Sequence, residues 1–236
     1  MSMYLSKIPL NPRRLATQRL IADRRALHAA ILAGSPDQPV PLPALDQPRV
    51  LWRLDTDQPY RPVVLAVTPT RPDYLHLAEQ AGWPASEAPF LTRDYRPLLD
   101  RLTAGQRYTF RLTANATHSV RGGGQPGTPD APAERQRGKR MGHVTQMQQL
   151  GWLLERAPRL GIRLPPLAGS GQPDVTVTGR SREAFRHDQG RVTLAVATFE
   201  GRLQITDPVQ LRQALTRGVG PAKAYGCGLL TLAPTR

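Results

Sequence analysis

The chain has 236 residues, and its 32 lysines and arginines outnumber its 18 aspartates and glutamates, for a formal net charge of +14. Its single cysteine, Cys227, excludes an internal disulfide, and its five histidines do not combine with it at the spacing of a structural zinc site. No apolar run approaches the ~18 residues of a membrane span, and no signal-peptide pattern opens the chain. We therefore expect a cytoplasmic protein that does not interact with membranes and needs no metal or other cofactor.

The positive charge is concentrated in the second part of the chain. Residues 1–88 contain 10 basic and 8 acidic residues, a net of +2, whereas residues 89–236 contain 22 and 10, a net of +12. Such an excess indicates a polyanionic partner, and nucleic acid is the leading candidate. Only three of the basic residues are lysines. The arginine bias suits recognition of phosphates and guanines, although genomic base composition can produce the same bias.

The first part of the chain predicts the order strand, helix, strand, strand, helix, strand. Apolar residues alternate in the first strand, recur at helical spacing between Thr17 and Leu32, and are followed by a proline-rich loop. The predicted elements are a strand over 3–10, a helix over 17–32, a loop over 36–48, strands over 50–54 and 63–67, a helix over 72–81 and a strand near 89–92.

The same order then recurs. The predicted elements are a strand over 106–114, a flexible loop over 119–138, a helix over 145–156 with Met147, Leu150, Leu153 and Leu154 on one face, strands over 175–182, 191–199 and 201–205, a helix over 208–216 and a strand over 229–232. Two βαββαβ units predict an α+β fold of two tandem ferredoxin-like domains. We place the first domain at residues 1–88, a linker at 89–105 and the second domain at 106–236. The open sheet faces, or the cleft between the domains, would suit RNA.

A glycine-rich loop precedes the last strand, over residues 218–228. Glycine allows the backbone to approach a ligand, and exposed N–H groups together with an ammonium can bind a phosphate. Gly220, Gly226 and Lys223 are therefore candidate RNA contacts. The alternative is that the glycines only form a tight turn before an edge strand.

Metal-free cleavage of RNA needs a base for the 2′-hydroxyl, an acid for the leaving 5′-oxygen and cations at the phosphate. Histidine suits either proton role. Among the five histidines we choose His28, because Arg24 lies one helical turn before it. The alternative for His28 is a solvent-facing helical histidine. The carboxylates Asp55 and Asp57 have no partner signature and are interpreted as solvated.

Several segments together resemble one family. They are residues 3–7, 27–28, 110–115, 199–203 and 218–234. The similarity runs nearly end to end, and the family is that of the CRISPR-associated endoribonucleases of type I-E systems, the CasE family. The resemblance implies metal-independent cleavage of precursor RNA at the 3′ base of the repeat stem-loop, with 2′,3′-cyclic phosphate and 5′-hydroxyl ends. It further implies continued binding of the mature crRNA and assembly with other subunits of the Cascade complex.

The family's catalytic histidine matches His28. Some members carry a catalytic tyrosine three residues earlier, where this chain has Arg25, so Arg25 or Arg24 is expected to stabilise the phosphate instead. The absent tyrosine also favours the alternative of a non-catalytic RNA-binding scaffold with the same fold.

The expected RNA contacts lie in the second domain. The resemblance implies a basic hairpin, with Arg180, Arg182 and Arg186, that enters the major groove of the stem. Lys139 and Arg140 are candidate backbone contacts near the cut. His143 follows them and is a candidate phosphate contact by position.

Overall fold

The structure is a computed structural model that describes residues 2–35, 49–120, 139–187 and 190–235, with the backbone alone described at residues 119–120, 139–140, 185–187 and 190–192. The predicted loop over 36–48 lies outside these residues. Among the helices of the described ranges, none is long and apolar enough to cross a bilayer.

The first sheet has four antiparallel strands in the order β2-β3-β1-β4. Its strands are β1 (Tyr4–Pro9), β2 (Leu51–Asp55), β3 (Val63–Thr68) and β4 (Leu91–Asp94). The helices beside it are α1 (Leu15–Ala22), α2 (Arg24–Ala33) and α3 (Leu75–Ala81). This strand order is that of a ferredoxin-like βαββαβ unit, as predicted.

The single helix predicted over 17–32 is wrong, because Asp23 divides it into α1 and α2. Asp23 has an extended backbone, with φ −121° and ψ 100°, and its carboxylate accepts hydrogen bonds from the N–H groups of Arg25 and Ala26. The N–H groups in the first turn of a helix have no acceptor within that helix, and a capping aspartate supplies one. In the interior of a continuous helix these N–H groups would already be paired. His28 consequently lies on the second helix of the chain.

The segment predicted as a linker, residues 89–105, contains β4 and a further helix, α4 (Arg96–Arg101). Strand β4 pairs with β1, from Tyr4 opposite Asp94 to Lys7 opposite Leu91. The first sheet therefore extends to Asp94. The remaining domain bounds stay a prediction.

The second sheet repeats the arrangement. It has the order β11-β5-β10-β8, and β9 pairs along β10. Its strands are β5 (Arg107–Asn115), β8 (Ile162–Arg163), β9 (Val175–His187), β10 (Gly190–Ile205) and β11 (Leu230–Pro234). Its helices are α5 (Gln146–Arg156) and α6 (Pro208–Arg217), and 3₁₀ turns lie at Ala157–Leu160 and Lys223–Tyr225. The chain is thus an α+β protein of two ferredoxin-like domains.

Three local predictions differ from the structure. The two strands predicted over 191–199 and 201–205 form one strand, β10, whose register against β9 shifts between Thr198 and Phe199. Helix α5 buries Gln149, Trp152 and Leu153, whereas Met147 is 83% exposed. The loop predicted over 119–138 begins inside a strand, β6 (Thr117–Val120), which pairs with β7 (Lys139–Gly142), and its residues 121–138 lie outside the described ranges.

The two domains share a core. Leu51 and Val67 of the first sheet belong to the same buried cluster as Phe110, Leu112 and Leu230 of the second. Because side chains alternate along a strand, Leu51 faces the second domain while its neighbour Trp52 faces α2 and belongs to a separate cluster. Strand β2 therefore contacts the second domain with one face and the helix that carries His28 with the other.

Candidate functional site

His28 is held on α2 by the apolar side of that helix. Leu27 and Ile31 are completely buried and belong to the core of the first domain, whereas His28 is half-buried. One side of its ring packs against Trp52 of β2, so the ring is not fully solvent-facing.

The Nδ1 atom of His28 accepts a hydrogen bond from Nε1–H of Trp52 over 3.1 Å. The two rings are 20° from parallel, with centroids 6.3 Å apart. Burial lowers the pKa of His28 below its ordinary value, because desolvation disfavours the imidazolium. The neutral ring is therefore the dominant form near neutral pH.

Arg24, one turn before His28, forms an ion pair with Glu183 of the second domain. Its Nε and Nη2 donate to the two carboxylate oxygens over 2.6 and 2.8 Å, and its Nη1 donates to the carbonyl of Tyr225 over 2.9 Å. Burial acts to lower the pKa of Arg24 and to raise that of Glu183, but the ion pair outweighs it and shifts both the opposite way. Arg24 thus joins α2 to the second domain, with its charge balanced by Glu183.

Arg25 is exposed on the first turn of α2. It differs from Arg24 in burial, so the two arginines that the sequence analysis treated as equivalent occupy different environments. Its accessibility favours Arg25 over Arg24 as the expected phosphate contact.

In the loop over 218–228, two glycines pack closely against buried tryptophan rings. A Cβ added at Gly226, where φ is +75°, would lie 2.7 Å from the ring of Trp52, and one at Gly220, where φ is +76°, would lie 3.1 Å from Trp152. The ammonium of Lys223 donates to the carbonyl of Gly220 over 2.5 Å. These contacts support the alternative of a tight structural turn, and RNA binding by this loop stays a prediction.

Arg180 and Arg182 of the predicted hairpin point away from the ion pair. Because side chains alternate along β9, Arg180 and Arg182 lie on the face opposite to Glu183. Both arginines are exposed, and the guanidinium of Arg180 donates to the carbonyl of Val144, just before α5. The structure therefore separates them from the face of β9 that meets α2. The backbone of Arg186 lies on β9, opposite Arg191.

His143 directly precedes Val144, the residue whose carbonyl accepts a hydrogen bond from Arg180. The centroid of the His143 ring is 4.7 Å from that of His118. The pKa of His143 is lowered, chiefly by burial and secondly by the charge of His118. The backbones of Lys139 and Arg140 lie on β7, which leads into His143. The predicted contacts thus form two groups, one around His28 and the glycine-rich loop, the other around His143 and Arg180.

Several partners in the site have no local signal in the sequence. Trp52 and Glu183 received no role, since they meet His28 and Arg24 across 24 and 159 residues of chain. The interpretation of Asp55 as solvated is also wrong. Its carboxylate pairs with Arg53 over 2.7 Å and with Arg111 over 3.4 Å.

Asp57 likewise accepts from Arg111 of the second domain, over 3.0 and 3.1 Å. The hydrogen bond from Arg111 is the largest cause of a lowered pKa of Asp57. The pair contributes to the contact between the two domains, and no pattern in the local sequence indicates it.

Comparison with known proteins identifies the family. A family model described as CRISPR associated protein matches residues 3–234. The CRISPR-associated endoribonuclease Cse3 of Thermus thermophilus is 33% identical over 243 residues, covering 98% of this chain and 100% of the relative. The CRISPR system Cascade subunit CasE of Escherichia coli K12 is 28% identical over 161 residues, covering 67% of this chain and 73% of the relative. A solved structure of Thermus thermophilus Cse3 bound to an RNA representing a pre-cleavage complex is 31% identical, with a TM-score of 0.76 and coverage of 99% and 100%. The chain therefore belongs to the family of CRISPR-associated proteins that includes Cse3 and CasE, as its sequence resemblance predicts.

Proposed function

We propose that the chain is an endoribonuclease that processes CRISPR precursor RNA. It binds the stem-loop of the repeat and cleaves at the 3′ base of the stem without a metal ion. The observation that carries the proposal is the position of His28, which is half-buried on α2. Arg24, on the same helix, fixes α2 against the second domain through its hydrogen bonds to Glu183 of β9 and to Tyr225 of the glycine-rich loop. Family membership and the name of the Thermus thermophilus relative support it.

The reaction is an internal transesterification. The 2′-oxygen attacks the adjacent phosphorus, the bond from phosphorus to the 5′-oxygen breaks, and the proton lost by the 2′-hydroxyl is balanced by one gained at the 5′-oxygen. The products carry a 2′,3′-cyclic phosphate and a 5′-hydroxyl. His28 is the catalytic residue that meets the scissile linkage, and Arg25, exposed on the same helix, stabilises the charge on the phosphate.

The second domain supplies most of the RNA affinity in this proposal. The net charge of +12 over residues 89–236 attracts the phosphate backbone. We assign the stem contacts to Arg180, Arg182 and Arg186. Backbone contacts near the cut are assigned to Lys139 and Arg140, and further phosphate-backbone contacts to His143 and to the loop with Lys223, Gly220 and Gly226.

We also propose that the protein stays bound to the mature crRNA and joins a Cascade complex. The support is the name of the Escherichia coli relative, a Cascade subunit. Co-purification of the chain with crRNA and with co-expressed Cascade subunits is the expected result, and a chain that releases its product at once would contradict it.

The test of the cleavage proposal is incubation with the cognate repeat RNA in EDTA. We expect cutting in EDTA, no cutting of RNA with a 2′-deoxyribose just upstream of the cut, and a cyclic phosphate on the 5′ product. His28→Ala is expected to bind RNA normally and to cut at a rate reduced by a factor of roughly 100 or more. His76→Ala, in the same domain, is the control and is expected to cut normally. RNA binding by the wild type with no cleavage would instead favour the non-catalytic scaffold.

A further inference from the structure

The hydrogen bond between Trp52 and His28 determines where the imidazole carries its proton. An indole nitrogen can donate but cannot accept. The Nδ1 atom of His28, 3.1 Å from Nε1 of Trp52, must therefore present its lone pair. In the neutral ring, the one remaining proton then lies on Nε2, on the side of the imidazole away from Trp52.

The indole has little freedom to give up this contact. Trp52 is completely buried on the edge strand β2, and its backbone pairs with Ala66 of β3. The close packing of Gly226 against the indole leaves no space for even a methyl group between loop and ring. The glycine-rich loop of the second domain thus packs against the indole, and Leu27 and Ile31, both completely buried, fix α2 and with it the position of His28.

Both proton-transfer forms of His28 conflict with this contact. A general base would need a lone pair on Nε2 and hence a proton on Nδ1, and an imidazolium also has a proton on Nδ1. In either case two N–H groups would face each other, one of them on the completely buried Trp52. Burial disfavours the imidazolium as well, in agreement with the lowered pKa of His28.

We propose that Trp52 is a positioning residue that holds His28 as the neutral Nε2–H tautomer, so that the ring presents an N–H donor to the scissile linkage. The inference rests on the proposed endoribonuclease activity and narrows the role of His28 within it. His28 donates a hydrogen bond from Nε2 to an oxygen that gains negative charge in the transition state, and it does not remove the proton of the 2′-hydroxyl. A preorganised neutral imidazole can supply such stabilisation without itself becoming charged.

The direct test is the tautomer of His28 in the full-length protein. Long-range ¹H–¹⁵N correlation spectra distinguish protonated from unprotonated ring nitrogens, and loss of one signal set in His28→Gln assigns the residue. Near neutral pH we expect an unprotonated Nδ1 and a protonated Nε2, both in the free protein and with uncleavable 2′-deoxy RNA. A protonated Nδ1 in either sample would overturn the inference.

The second test uses Trp52→Phe, which keeps an aromatic ring in the core and removes the N–H. We expect the Nε2–H preference of His28 to weaken and single-turnover cleavage to slow by roughly tenfold or more, with RNA affinity unchanged. Trp83→Phe is the control, because it also removes an indole hydrogen bond, to the carbonyl of Leu10, that involves neither His28 nor the glycine-rich loop. It is expected to cut normally.

A folded Trp52→Phe protein that cuts at the wild-type rate would overturn the inference while leaving the proposed function intact. If Trp52→Phe does not fold, the wild-type spectra decide the question. Full activity of His28→Ala would instead overturn the proposed role of His28 in cleavage, whatever tautomer the spectra show.

Discussion

At the scale of single residues, the site depends on groups that neutralise or orient one another. His28 is oriented by Trp52, and Arg24 is balanced by Glu183. Gly226 has a purely steric part in this arrangement, because its missing Cβ makes room for the indole. Substitutions at these positions therefore affect stability and catalysis together.

Gly226→Ala is expected to destabilise the protein and to slow cleavage. The new methyl group would combine a left-handed φ of +75° with a collision at Trp52, for a loss of about 2–4 kcal/mol in the free energy of unfolding. Gly105→Ala is the control, since φ is +89° but nothing lies within 4 Å of its Cβ position. The control is expected to lose only about 1–2 kcal/mol and to cut normally. Equal losses in denaturant titrations would contradict the role of the Trp52 contact.

The lowered pKa of His28 predicts a loss of stability on acidification. Between the lowered folded-state pKa and the ordinary value of 6.5, the unfolded chain binds a proton at His28 that the folded chain does not. The free energy of unfolding therefore falls as the pH falls through this range. In His28→Gln this contribution is absent, so stability should decline less between about pH 7.5 and pH 5.5. His143, whose pKa is also lowered, remains in both proteins and leaves part of the slope. An unchanged slope in the variant would refute the prediction.

At the scale of elements, the break between α1 and α2 positions the candidate active site. Asp23 ends the hydrogen-bond pattern of α1 and caps α2, so that Arg24, Arg25 and His28 fall in the first turns of a new helix. The direction of α2, and with it the approach of His28 to Trp52, depends on this capping residue.

Asp23→Ala is expected to cost about 1 kcal/mol of stability, because two N–H groups lose their acceptor. Asp207→Ala is the matched control, since Asp207 caps α6 by the same pair of bonds, to the N–H groups of Val209 and Gln210. We expect similar losses in melting temperature for the two variants but slower cleavage only for Asp23→Ala. Equal cleavage rates would show that the cap does not position His28.

At the scale of the whole molecule, the two domains are joined by the hydrogen bonds of a buried arginine as well as by the shared core. Arg53 on β2 is 2% exposed, and its guanidinium donates to Asp55, to the carbonyls of Arg111 and Leu229, and to the hydroxyl of Thr231. A buried guanidinium with this many acceptors holds the two sheets in one relative position. The Arg24–Glu183 pair and the packing of Trp52 against Gly226 both depend on that position.

Arg53→Met is expected to lower the free energy of unfolding by about 3–5 kcal/mol, because it leaves buried acceptors without a donor. Arg202→Met removes an ion pair to Asp174 in which the arginine is 52% exposed, and a much smaller loss is expected. Urea titrations of the two variants measure the difference. A small loss for Arg53→Met would show that the shared apolar core alone joins the domains.

The sequence by itself determined the order of elements, the βαββαβ repeat and the family, because alternating and helical apolar spacing and a glycine-rich motif are local properties of the chain. It also indicated His28, although it did not indicate how the ring is held. The tertiary structure alone decided the partners Trp52, Glu183 and Arg53. Their contacts join residues that are separated by between 24 and 178 positions in the chain, and they depend on how the two sheets pack. It also decided that Asp23 divides the first helix, since the apolar spacing continues across that residue and only the capping geometry shows the break.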